Sequence, residues 1–558
     1  MRSGRETRAG SRAVLAPLLA LALASLPAAA TGQRAPEGPL TRAEATDFVE
    51  TSTYDDVLTF LAAVEAAEPD IHVGSFGYSY EGRRLPLAVW GAPDGTPSAV
   101  RSTGKTIVLV LANIHAGEVE GKEAALQLLR ELSRGEHAAW SDSLVLLVAP
   151  IYNADGNEQV RLVNRPLQFG PVGGMGQRPN AQGYDLNRDY MKLETPETRS
   201  LVRLFTEFDP HVTIDLHTTN GTYHGYHLTY SPPLHPGTDP GIVAFVRERW
   251  LPAVTDALAP RWAMWHYGNL PRDEGVEAPP GWYTFSHQPR FGNNYEGMRN
   301  RFGLLSEAYA YLPFGERIEV TRRFVEAMLD FATAHATEIR RLAEAADARD
   351  LSGTELPVRA EHACGAEVEI LMGEVAVERH PYTGEPMLRR LPVQRPEAMP
   401  DCTSFRGTEV ARVPAIWIVP AGLESAIERL AAHGIRTVTL IEPVTIDAEA
   451  FAITSSTQSE REFQKHRERT LEGRWEPVRE TLPAGTVVVP SAQPLGRLAF
   501  YLLEPRSDDG LVAWNALDAV LEGAARYPIL RAGTPLPVGP YRGVEPGATT
   551  AVGASSGR

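Results

Sequence analysis

An α/β fold, with a mixed but largely parallel central sheet flanked by helices, is what this sequence predicts. Three observations carry the expectation. Short strand-like apolar runs alternate with helix-forming stretches across residues 40–345, the pattern of βαβ units. The run 106–112 is apolar and β-branched throughout, the look of a strand buried in the sheet. Three of the runs lead directly into His115, His217 or Glu307, and open α/β sheets place their ligands beyond the carboxyl ends of their strands.

The elements follow in order. After a polar, proline-containing lead at 33–40, residues 43–67 read as one helix. Residues 71–77 and 84–91 alternate like paired strands joined by Tyr80-Glu81-Gly82-Arg83. The buried strand 106–112 is followed by helical periodicity over 119–134, a strand-like run at 144–150, a helix at 197–208 and a strand at 212–216. A helix over 242–258, a short strand at 302–306 and a long helix over 318–345 complete the first region. The charged, alanine-rich stretch 343–350 and the following Leu351-Ser352-Gly353 mark a boundary. Beyond it, strand-like runs at 368–371, 415–419, 438–441 and 486–489 and a helix near 423–433 suggest a smaller α/β or α+β accessory domain spanning 350–540. The charged segment 459–474 reads as a solvated helix face, and 541–558, rich in Gly, Ala, Ser and Thr, as a disordered tail.

A chain of 558 residues exceeds one hydrophobic core, and 43% apolar with 22% charged residues is ordinary for a soluble protein. The formal charge of −16 argues against nucleic acid and against anionic membrane surfaces as partners. Residues 1–30 have a basic start, an apolar stretch and Ala28-Ala29-Ala30, the order of a cleavable secretory signal; an uncleaved anchor is the competing reading. The expectation is therefore an exported chain, periplasmic or extracellular, with no stable membrane insertion after cleavage. In that setting Cys364 and Cys402 can close one disulfide loop, worth about 3–4 kcal/mol in the chain-entropy model, with two free buried thiols as the alternative.

His115 and Glu118, three apart after a strand, can face one ion, and His217 ends a later strand as a third ligand. Two imidazoles and a carboxylate are the set that catalytic zinc takes, leaving a fourth position for water. His224 and His227 form a competing pair in a Gly/Tyr-rich loop and read better as pocket wall. Asp185 is the candidate to accept from the far nitrogen of His115 and so fix its ring. Arg188 with Asn187 can fork onto a carboxylate. Glu307 ends an apolar run, where partial burial suits it to take a proton from water. There is no HExxH, no nucleophile elbow and no phosphate loop.

Taken together, Gly77-x-Ser79-x-Glu81-Gly82-Arg83, His115-x-x-Glu118, Asn153-Ala154-Asp155-Gly156, Asp185-Leu186-Asn187-Arg188, His217 and Glu307 resemble the M14 family of zinc carboxypeptidases over roughly 40–345. The resemblance implies one zinc per chain on His115, Glu118 and His217, Glu307 as general base and acid, and Asn187 and Arg188 on the C-terminal carboxylate of a peptide or protein substrate. It also implies an arginine that polarises the scissile carbonyl, for which Arg178 is the best match and Arg165 the rival. A substrate-capping tyrosine belongs before the catalytic Glu; Tyr295 is the candidate, with Tyr283 beside it. Two alternatives stay open: an amidase of the same fold acting on cell-wall peptides or N-acyl amino acids, and a peptide-binding protein without turnover.

Overall fold

Eight strands form the central sheet of the computed structural model, which describes residues 38–536 apart from 274 and 276, and the backbone of 541–544. The strands are β1 (Ile71–Tyr78), β2 (Arg84–Trp90), β3 (Thr106–Ala112), β4 (Leu144–Ala149), β5 (Val212–Thr219), β6 (Leu228–Ser231), β7 (Met264–His266) and, after the short β8 (Trp282–Tyr283) of another sheet, β9 (Phe302–Tyr309). Their order is β1-β2-β4-β3-β5-β9-β6-β7, with β4, β3, β5 and β9 parallel to one another. Those four strands are almost wholly buried; β3 and β4 accordingly read as near-continuous apolar runs, while β5 and β9 carry polar residues towards their carboxyl ends. Helices Glu120–Ser133 and Phe314–Ala334 pack on each other and on β3, β5 and β9.

The expected single helix over 43–67 is two helices, Arg42–Ala45 and Tyr54–Ala67. Each begins with its own capping box, Thr41 with Glu44 and Thr53 with Asp56, and Asp47 and Phe48 between them hold positive φ. The long helix likewise breaks at His335 into Phe314–Ala334 and Ala336–Asp347.

Beyond residue 350 the strands are β10 (Glu355–Ala363), β11 (Glu367–Met372), β12 (Val375–Arg379), β13 (Pro386–Arg390), β14 (Arg395–Cys402), β15 (Ser404–Arg412), β16 (Ile416–Val419), β17 (Thr437–Leu440), β18 (Val444–Gln458), β19 (Arg469–Leu482), β20 (Val487–Pro490), β21 (Leu530–Ala532) and β22 (Tyr541–Val544). Seven of them form a second sheet, β19-β18-β21-β16-β20-β17-β22. The segment 459–474 is therefore not a helix: it is the tip and the start of the returning strand of the long β18–β19 hairpin, and most of its charges are exposed residues of the tip, outside the ladder. Residues 541–544, expected in the disordered tail, pair with β17. The proposed signal segment 1–30 and residues 545–558 lie outside the described residues.

The expected boundary at 345–350 falls between the helix Ala336–Asp347 and β10, yet the chain is tied together across it. β14 pairs in parallel with β8, and Leu388 N and Gly225 N make backbone hydrogen bonds to Leu167 and Leu371. The described residues from 38 onward cluster as one unit. Cys364 and Cys402 are disulfide-bonded, fastening the start of β11 to the end of β14. Among the described residues, no helix is long and apolar enough to cross a membrane.

Candidate active site

β3 ends at Ala112, and Asn113, in the left-handed region at φ 66°, turns the chain so that His115 and Glu118 come together beyond the strand end. Gly117 is required in that turn: a Cβ there would lie 2.6 Å from Arg165 Cγ and 2.8 Å from Gly176 O. Asn153 clamps the turn by donating to Ile114 O (3.2 Å) and to Arg178 O (3.3 Å). Its neighbour Asp155 anchors the Ser79–Arg83 turn, accepting from Ser79 Oγ (2.6 Å), Glu81 N (2.8 Å) and Arg83 (2.7 Å). On β5, Asp215 and His217 are two apart and share a face. The parallel register then sets Glu307 of β9 directly opposite His217.

The ligand atoms of His115, Glu118 and His217 lie within 4.8 Å of one another, and all three side chains are buried. His115 Nδ1 and His217 Nδ1 each lie 3.0 Å from an oxygen of Glu118. Their far nitrogens meet other carboxylates, His115 Nε2 at 3.0 Å from Asp185 Oδ1 and His217 Nε2 at 2.9 Å from Asp215 Oδ2. A carboxylate only accepts, so each Nε2 donates outward to Asp185 or Asp215, and with a cation in place of the Nδ1 protons each Nδ1 would turn a lone pair towards it. Three converging ligand atoms, buried, call for a cation, and two nitrogens with one carboxylate are the donors zinc takes at an open site. The residues fit that metal. Burial by itself would raise Glu118, but His115 and Arg165 hold its carboxyl well below the usual range. Burial would likewise lower His217, and the carboxylates of Asp215 and Glu118 keep it well above its ordinary value.

Glu307 is pushed up to about 8, by burial first and by the nearby Glu118, with His217 pulling the other way. Its Oε2 is buried and has no hydrogen-bond partner among the described residues. Two arginines reach the cluster. Arg165 pairs with Glu118 and donates to Thr218 O (3.3 Å), while Arg178 donates to Asp185 Oδ2 (3.0 Å) and lies 3.7 Å from Glu118. Arg188 stacks 3.8 Å over the Phe291 ring and donates to Asn187 O (2.6 Å), and it forms no ion pair among the described residues. Desolvation lowers its guanidinium to about 10, although the residue is half-buried at the cleft wall. Asn187 Oδ1 accepts from Gly292 N (2.9 Å), which fixes the side chain at the cleft wall.

Eight of the residues singled out from the sequence thus converge: His115, Glu118, His217, Asp185, Glu307, Asn187, Arg188 and Arg178 surround one cleft. Tyr295 does not. The helix Gly292–Met298 turns it into the core, fully buried between Tyr190 and Phe205, with its hydroxyl 2.7 Å from His433 Nδ1. The aromatic wall is made instead by Tyr267, Phe285 and Phe291. Tyr267 directly follows β7, so the strand-end rule that located His217 would have found it, but a three-residue strand leaves no periodicity to read. Asp215 was visible in its motif and acquired a role only when the strand put it behind His217. His224 and His227 take no part: His224 stacks 4.0 Å from Tyr309, and His227 Nδ1 accepts from Ala263 N.

Residues 57–233 match a family model described as zinc carboxypeptidase. A probable carboxypeptidase 2 of Arthroderma benhamiae is 32% identical over 143 residues, 25% of this chain and 24% of that protein. Carboxypeptidase 2 of Trichophyton equinum is 23% identical over 485 residues, 81% of each chain. In the relatives of highest identity the match thus spans about a quarter of their length. Among solved structures, a metallo-carboxypeptidase from Burkholderia cenocepacia is 17% identical, with a TM-score of 0.39 over 51% of this chain and 70% of its own. One from Pseudomonas aeruginosa, in complex with (2-guanidinoethylmercapto)succinic acid, is 17% identical with a TM-score of 0.36 over the same shares.

Proposed function

We propose that this chain, whose residues 57–233 belong to the zinc carboxypeptidase family, is an exported zinc metallopeptidase that removes residues from the C-termini of peptides. The observation that supports it most directly is Arg188, a half-buried guanidinium that forms no ion pair among the described residues and faces the same cleft as the His115–Glu118–His217 cluster and Glu307. A substrate's terminal carboxylate would supply the missing counter-charge. When bound, zinc supplies Lewis acidity to the scissile carbonyl and to the attacking water.

The chain's own residues divide the remaining work. Asp185 and Asp215 orient His115 and His217. Glu307, with a free buried oxygen, takes the proton from the attacking water and passes it to the leaving amine. Arg178 offers N–H groups to the developing oxyanion, and Asn187 with Arg188 sets which bond lies in reach. The Cys364–Cys402 disulfide supports export, since such bonds persist in oxidising compartments.

The test pairs metal analysis with peptides whose C-termini are free or amidated. We expect about one zinc per chain. Amidation removes a charge-assisted contact and leaves the partly desolvated Arg188 unpaired beneath the substrate, so kcat/KM should fall roughly thirty- to several-thousand-fold. Equal cleavage of both peptides would overturn the carboxypeptidase reading in favour of an amidase or endopeptidase.

A further inference from the structure

The β18–β19 hairpin projects from the second sheet, and its tip reaches the candidate active site. Ser459 N donates to Glu468 O at the base of the tip, and Phe463 and His466 exchange two backbone hydrogen bonds (2.8 and 2.9 Å) around Gln464 and Lys465. Both central residues hold positive φ, 49° and 65°, the geometry of a type I′ turn. Asn-Gly is the pair such a turn favours, and a Gln-Lys pair in the left-handed region is strained. The two side chains have a use that offsets this. Gln464 Oε1 accepts from Asp185 N (3.0 Å), and Lys465 Nζ donates to Gln182 O (2.7 Å) while lying 3.9 Å over the Tyr184 ring. Asp185 is the residue that holds both His115 and Arg178.

A second clasp comes from the same part of the chain. Arg290, nearly fully buried, donates from its backbone N (2.6 Å) and its Nε (2.8 Å) to Asp509, and it pairs with Glu468 (2.7 Å). Trp514 Nε1 donates to the same carboxylate (2.7 Å). The two residues after Arg290 are Phe291, on which Arg188 stacks, and Gly292, whose N–H fixes Asn187. Asp185 caps the short 3₁₀ turn Leu186–Arg188, which lies in a long irregular segment, so the central sheet's ladder does not hold it.

We propose that Gln464 and Asp509 are positioning residues for the carboxylate-gripping half of the cleft, so that the chain beyond residue 350 completes the active site. The inference rests on the reading of Asn187 and Arg188 given above. Its test replaces the hairpin tip by the turn's preferred pair, Gln464→Asn with Lys465→Gly, in the full-length zinc-loaded protein. A merely structural tip would be stabilised or unchanged by this swap and would leave catalysis alone. We expect the Tm to hold or rise while kcat/KM on free-C-terminus peptides falls roughly tenfold, the scale of one or two net hydrogen bonds, since the swap withdraws Gln464 from Asp185 N and Lys465 from Gln182 O.

Asp509→Asn should raise KM and narrow the free-to-amidated ratio with zinc content unchanged. Calorimetry of a free-carboxylate dipeptide on the Glu307→Gln background should show the same roughly tenfold weakening when either change is added. Wild-type kinetics, ratio and dipeptide affinity in both folded variants would overturn the proposal. A wild-type protein indifferent to amidation would instead remove the premise, and the proposal with it.

Discussion

Glu296 lies on the helix Gly292–Met298, whose first residue fixes Asn187, and its side chain is 1% exposed. Burial pushes its pKa from 4.5 up to about 7, and Arg299 and Arg301 recover only part of the shift. For an acid whose folded pKa is raised, the stabilising contribution is complete below the unfolded value and is lost as pH rises through the folded one. The loss therefore spans pH 4.5 to 7 and is complete by pH 8. At about 1.36 kcal/mol per unit, Glu296 contributes about 2–3 kcal/mol less stability at pH 8 than at pH 5. Glu296→Gln keeps the shape and removes the titration. With an unfolding entropy of roughly 1 kcal/mol/K for a body of this size, the difference in Tm between variant and parent should grow by about 2 °C in the variant's favour from pH 5 to pH 8. Scanning calorimetry at the two pH values, at matched zinc, measures it. A difference that does not change with pH, or that moves the other way, refutes the assignment of a neutral buried carboxyl.

Three further outcomes follow from the site. Glu307→Gln should retain zinc and bind substrate while kcat drops by about 10²–10⁴-fold or more, and near-normal turnover would move the base elsewhere. Asp215→Asn should weaken zinc about 10–100-fold in a chelator competition, because His217 loses the acceptor that fixes its ring, and unchanged affinity would show that the contact does not orient the ligand. Gly117→Ala places a Cβ 2.6 Å from Arg165 Cγ, so kcat/KM should fall by an order of magnitude or more; wild-type activity would mean that Arg165 can shift without consequence.

The site was legible where its chemistry is local. His115 and Glu118 share one turn, Asp185, Asn187 and Arg188 share another, and His217 and Glu307 each follow a buried run whose end a sheet aims at its ligand. Residue type, spacing and strand-end position are all properties of a short window, so the sequence alone determined the α/β class and the metal and base candidates. Tyr295 failed for want of helix phase: on a seven-residue helix buried on every side, polar residues included, nothing local says which side meets the cleft. The charged tip at 459–468 failed because its partners Asp185, Gln182 and Arg290 are far away in the chain, and charge alone fits a solvated face equally well. Only tertiary structure decided those matters. Register across parallel strands put Glu307 opposite His217, strand pairing across residue 350 joined two regions that composition separated, and a hairpin from the second closed on the first. Such contacts are set by which distant surfaces can bury one another, a property of the assembled chain that no single segment carries.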